Sequence, residues 1–426
     1  MKKQLLTLLT TTTLTLSSAF SATDEAVRTN NFLGEKLATS IIKTTDKTEN
    51  FMISGTSLQQ ALSIVANGSA GWTRTTLEDY LDTSIEHLNE SNLVMRNAIN
   101  FTEQQRVDLT TRSLYLNPAV ITTNNSIWRT TYFPNGGQYS FSPEFIDTAK
   151  TFYHAEHQVL NFNDEASVAT VNKWAEDNTN GLVKKIIKHS EMKDMLWMVM
   201  NATYMEASWS ERFYELTRSA PVFTLANGER TVPKMMASTQ FVNYMELEDE
   251  SEMVAMKLNS DQEGTDLAFV AYLPKQGKEL KKSQLDFFQS EIKKLTLPAL
   301  VSRSESLNAK VIMPKFSFDY SVSMQAYEKL TLEMGLNDLF LDRADFSQMA
   351  THGSLPSKVG LIKQNTKIEL DEKGIKAAAV TVIGGVRATS VGPGVQKNII
   401  LDRPFMFAIV DRNTQAVLFS GSVVNP

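Results

Sequence analysis

The 426-residue sequence has no cysteine. That absence excludes a disulfide framework, a thiolate nucleophile and a lipid anchor on an N-terminal cysteine. Histidine is scarce, at five residues. His154 and His157 can meet on one helical face, but no third ligand stands at useful spacing, so no metal site is expected. Also missing are the Gly-x-Ser-x-Gly elbow, the Walker loop and the His-Glu-x-x-His pair. A periplasmic hydrolase therefore has no visible machinery, and neither an enzyme nor a cofactor is expected. Positive charge is not in excess either: 42 Lys and Arg stand against 48 Asp and Glu, for a net charge of −6. Nothing in that balance asks for nucleic acid or an anionic membrane. The apolar stretch Leu5–Leu16 is diluted by threonines and too short to cross a bilayer as a stable helix, and no other segment of the sequence qualifies as transmembrane. No low-complexity linker and no internal repeat marks a domain boundary.

What is present begins with Met1-Lys2-Lys3 ahead of that apolar run, the pattern of a secretory signal. Cleavage after Ser21 or Ala19 fits small-residue rules and implies export to a bacterial periplasm or beyond. Loss of Lys2 and Lys3 takes the net charge from −6 to −8. The remainder, 22–426, reads as one acidic α+β domain. Leu33, Leu37 and Ile41 predict a first amphipathic helix, and Leu58, Ala61, Leu62 and Val65 a second that closes at Gly68. Trp197 to Tyr204 alternates as a strand interrupted by Asn201, an amide that needs buried partners.

Near the C-terminus, Gly374 follows Glu372-Lys373 as a turn, and Ile375 to Ile383 is a run of small and β-branched residues. With period two, Ile375, Ala377, Ala379, Thr381 and Ile383 share one uncharged face, and Lys376, Ala378, Val380 and Val382 take the other. Gly384-Gly385, Arg387 and Gly392-Pro393-Gly394 then read as exposed loop. On this stretch alone, an ordinary strand before a surface loop and a strand that changes places both fit.

Other motifs bear on the choice. Gly-Ile-Lys-Ala-Ala-Ala at 374–379 resembles the proximal hinge of the serpins, the suicide inhibitors of proteases. Asp402-Arg403-Pro404-Phe405 and Phe419-Ser420-Gly421-Ser422-Val423-Val424-Asn425-Pro426 resemble the family's closing strands. Asn50 to Ser57 is similar to its Asn-x-x-x-Ser-Pro-x-Ser segment, with Gly55 in place of proline. Asn201-Ala202-Thr203-Tyr204 through Trp209 and Phe213, Val171-Asn172-Lys173-Trp174, and Met313-Pro314-Lys315-Phe316 continue the match in order, so it spans the whole mature chain.

The resemblance implies a serpin fold of three β-sheets and about eight or nine helices, with an exposed reactive-centre loop at about 372–398. It implies a shutter beneath the central sheet formed by Ser54, Ser57, Asn201 and Gln364, where Gln364 replaces a more common histidine. Gln364 is expected to donate to Asn201 or Ser54 and, being non-titrating, to make the shutter less sensitive to acid. Trp209 would mark the breach where the loop enters, and Glu372 would pair with Lys315. The hinge would comprise Glu372, Gly374, Ile375, Lys376, Ala377, Ala378, Ala379, Val380 and Thr381. Ile375 is bulkier than usual there. Lys376 replaces a common glutamate and would face solvent after insertion. Family spacing puts the cleaved bond at Ala388–Thr389, implying elastase-like targets. A hinge shorter by one puts it at Arg387–Ala388, implying trypsin-like ones, and Val386 is a third choice. The partner is thus a serine protease held covalently by a monomer, with no heparin site evident. A non-inhibitory carrier, chaperone or storage serpin shares the body motifs and is the alternative.

Overall fold

The computed structural model describes residues 24–45, 49–112, 118–131, 140–193, 195–260, 265–291, 305–325, 328–350, 358–375 and 395–426. Residues 1–23, which include the expected signal, and residues 376–394, with Lys376 to Thr381, Arg387, Ala388 and Thr389 among them, lie outside the described residues. Within these bounds the chain forms ten α-helices and sheets of nine, six and two strands. The helix count exceeds the eight or nine expected. One addition is Glu103–Arg112, a strongly polar helix that no apolar periodicity announces.

Helix starts follow local chemistry. Ser54, Ser84, Ser142 and Asp164 each accept a backbone N–H from the first turn of the helix they precede. Each such cap is worth about 1 kcal/mol. The first helix, 24–44, buries Leu33, Leu37 and Ile41 as its spacing predicts.

The second helix, Gly55–Asn67, departs from the amphipathic reading. It is enclosed on nearly every side, so Thr56, Ser57, Gln59, Gln60 and Ser63 are buried along with Leu58, Leu62 and Val65. Its glycines are there for space. A Cβ on Gly55 would stand 2.5 Å from the Asn30 carbonyl oxygen, which accounts for glycine where proline is usual. Gly68 does not adopt the left-handed conformation expected of a helix-closing glycine. Its φ is −84°, and a Cβ there would press into the Met349 side chain.

The nine-stranded sheet runs in the order Phe51–Ile53, Ala416–Val423, Phe405–Asp411, Leu267–Leu273, Glu252–Lys257, Met235–Glu246, Glu305–Pro314, Lys397–Ile400, with Tyr214–Glu215 also on Met235–Glu246. Its fully buried strands are continuous apolar runs, and Phe269 and Phe407 stack across two of them at 5.5 Å. The six-stranded sheet has the order Phe316–Met324, Ile362–Leu370, Gly374–Ile375, Trp197–Ser208, Val120–Thr130, Glu156–Leu160. The buried second helix packs behind it, against Trp197–Ser208 and Val120–Thr130.

Candidate functional site

Gly374–Ile375 is antiparallel to both of its neighbours, so Trp197–Ser208 and Ile362–Leu370 run parallel to each other. Among the described residues no register joins these two long strands directly. Only Gly374 opposite Ser208, and Ile375 between Ala207 and Leu370, bridge them. Below that bridge the facing edges are separated by narrow crevices of about 20 Å³ each. The upper one is lined by Thr203, Met205, Thr366, Ile368 and Ile375, the lower by Trp197, Val199, Asn201, Ile362 and Gln364. Unpaired strand edges present rows of N–H and C=O groups that template a further strand. Parallel edges facing one another can both be satisfied by a single strand antiparallel to each.

The upper end is stapled. The Asp371 carboxylate accepts the N–H groups of Lys373 (2.7 Å) and Gly374 (3.3 Å), closing the turn. Gly374 has φ +154°, and a Cβ there would run into the Ala207 carbonyl and lie 2.7 Å from the Ser208 Cα. Only glycine fits. Trp209, fully buried, donates its indole N–H to the Asp371 carbonyl (2.8 Å) and its backbone N–H to that of Lys373 (3.0 Å). The Phe213 N–H donates to the Glu372 carbonyl (3.2 Å). Lys315 Nζ bonds Glu372 (2.6 Å) as expected, and also Glu215 (2.7 Å). Burial would lower the Lys315 pKa, but these two bonds outweigh it and hold the ammonium above its ordinary value. Ile375 is buried with Ala207, Leu370 and Ile368 in one apolar cluster, so its bulk is accommodated.

The lower end is bonded differently from the expectation. Gln364 holds the Ser54 backbone at both groups, accepting its N–H (3.0 Å) and donating to its carbonyl (2.8 Å). It does not bond Asn201. Asn201 donates to Asn125 (2.8 Å) and accepts from Thr203 (3.0 Å). Asn125 donates in turn to Gln60 (3.2 Å), and Gln60 to Asn92 (3.0 Å), deep beneath the sheet. Ser54 caps the second helix through Ser57 N–H (3.2 Å), and Ser57 lines the lower crevice.

The two histidines do not share a helical face. The helix Pro143–Tyr153 ends with His154 in the left-handed region (φ 48°), and His157 lies on the strand that follows. Burial, reinforced by Arg129, holds the His157 pKa below its ordinary value. Burial and Arg96 do the same for His154. Among the described residues no cluster of three or more ligand-type side chains could hold a metal ion.

The family model for Serpin (serine protease inhibitor) matches residues 28–426. The chain belongs to the serpin family. It is 27% identical over 379 residues to an uncharacterized serpin-like protein of Thermococcus kodakarensis, covering 88% of this chain and 81% of the relative. It is also 27% identical over 403 residues to Serpin-Z2A of Triticum aestivum, covering 92% and 94%. The native-state thermophilic serpin tengpin superposes with a TM-score of 0.73 at 25% identity, over 93% of this chain and 94% of that one. An Arabidopsis serpin in its native stressed conformation gives 0.76 at 22% identity, over 95% and 98%, a likeness of fold. Serpins are in general protease inhibitors rather than enzymes.

In this serpin, sequence reasoning missed Gln60, Asn92 and the role of Asn125. The available signal was the amide and hydroxyl content of a helix already expected to pack in the core, since buried polar groups are paired. It also missed Glu206, a buried carboxylate on Trp197–Ser208. Glu206 accepts from Arg106 of the added helix (2.9 Å) and from the Tyr204 hydroxyl (2.8 Å).

Proposed function

We propose that this serpin is an irreversible suicide inhibitor of serine proteases. The observation that carries the reading is the parted sheet, with its first bridging residues, Gly374 and Ile375, already seated between two parallel strands. The protease serine attacks a loop carbonyl and forms an ester with it, and the new amine of the next residue leaves. Once cut, the segment behind Ile375 enters the slot as a central strand and carries the acylated protease to the far end before the ester is hydrolysed. Serpin loop insertion is itself a known instance of such a switch. The uncleaved state then persists by kinetic rather than equilibrium stability.

Ala388–Thr389 is the favoured bond, with elastase-like proteases as targets, and Arg387–Ala388 with trypsin-like ones is second. A relative named leukocyte elastase inhibitor, of Bos taurus, is 27% identical over 296 residues and lends weight to the first. The leader 1–21 is removed on export and 22–426 acts as a monomer in the periplasm or medium. The snug seat of Ile375 removes the steric objection that favoured a non-inhibitory role.

The test is incubation with neutrophil-type elastase and, separately, trypsin, followed by denaturing gels and mass spectrometry. A complex surviving boiling in detergent is expected, with a C-terminal peptide whose mass locates the bond. Cleavage without complex would leave a serpin body doing other work.

A further inference from the structure

The register at the mouth of the slot fixes what lies one rung lower. Ile375 sits opposite both Ala207 and Leu370. A strand continuing past Ile375 in this register brings its next residue between Glu206 and Glu369. Ala207, Leu370 and Ile375 share one apolar cluster, so residue 376 and the two carboxylates project from the opposite face. Glu206 is buried and Glu369 is half-buried. The charged groups beside them are Arg106 on Glu206 (2.9 Å) and Lys367 on Glu369 (3.1 Å). Lys367 stands two residues along its strand from Glu369. It is therefore diagonal to an incoming residue 376, at roughly 7–8 Å, whereas direct cross-strand neighbours are roughly 5 Å apart.

We propose that Glu206 and Glu369 form an acidic recognition rung for Lys376, so that the slot selects this chain's own 376–383 segment by a cation at its first position. The residue that departs from the family's usual glutamate thereby meets two carboxylates. A glutamate there would place three together. This inference rests on the insertion reading above and adds a charge requirement to it.

Acetylated peptides of residues 376–383, one with the native lysine and one with glutamate in its place, test the rung on the uncleaved protein. Association is followed through the rise in thermal unfolding temperature with peptide concentration. The lysine peptide is expected to bind roughly tenfold more tightly, the combined effect of gaining opposite-charge and losing like-charge neighbours. On the Glu369→Lys protein, whose altered side chain is partly exposed, the preference is expected to shrink or reverse. Equal binding of both peptides to both proteins overturns the acidic rung and leaves the slot standing. Failure of both peptides to bind removes the slot, and the rung with it.

Discussion

At the upper end of the six-stranded sheet, Gly374 and Ile375 join the two parted strands, and Trp209, Phe213 and Lys315 tie the preceding turn to the body. At the lower end, each strand is anchored to something other than its opposite. Gln364 holds Ser54 at the start of the second helix, while Asn201 holds Asn125 on the neighbouring strand. The upper bonds cross the slot and the lower bonds do not. A strand can therefore enter below the hinge without breaking a bond that runs directly from one edge to the other, while both edges stay tied to the second helix, Gln364 through Ser54 and Asn201 through Asn125 and Gln60. The difference also separates two kinds of damage: changes above unseat the hinge, and changes below weaken the body.

Gly374→Val breaks the comparison most severely. Its side chain overlaps the Ala207 carbonyl, and overpacking of this kind costs up to roughly 3 kcal/mol, so the hinge is expected to leave the slot. Native-state hydrogen exchange checks this: the Trp209 and Phe213 amides, which donate to the hinge carbonyls, should lose protection. Asn125→Leu is the counterpart below. It strands the half-buried Asn201 and the buried Gln60, and a buried orphaned amide costs about 1–3 kcal/mol. Urea unfolding should shift to a lower midpoint while the Trp209 amide stays protected.

Acid sharpens the comparison further. Gln364 gives the lower end no titrating group, but His157, on the same sheet, has its pKa lowered by burial and by Arg129. The unfolded chain takes up that proton first. The stabilising effect of a neutral His157 is therefore present above about pH 6.5 and lost as the pH falls through the lower folded value. Thermal unfolding between pH 5 and 8 should show this slope, and His157→Gln should reduce it to the share that His154, lowered by burial and Arg96, contributes with the same sign. Lys315→Met is expected to have the smallest effect. A partly exposed ion pair contributes about 0.2–1 kcal/mol, so the loss should be of that size and should shrink in high salt.

The upper end was legible in the sequence because its parts are local strings. Glu372 to Ile375 make a turn and a strand start, and Trp209 and Phe213 close a contiguous motif. The pairing of Lys315 with Glu372 followed from the same resemblance, though Glu215, from a two-residue strand, did not. The lower end was only half legible. Asn201 announced itself as an amide needing partners, but its partner comes from the adjacent strand and the next from the second helix. No periodicity shows that a helix will be enclosed on all sides, and Gln60 reads as surface until it is. The slot itself left no trace, since the parting of two strands is a property of their neighbours and not of either sequence.

Thermal unfolding before and after a single cut between residues 384 and 395 tests the central claim most directly. If the slot accepts residues 376–383, the cleaved protein gains a paired central strand and unfolds at a markedly higher temperature than the intact one. An unchanged or lower unfolding temperature after cleavage would contradict it.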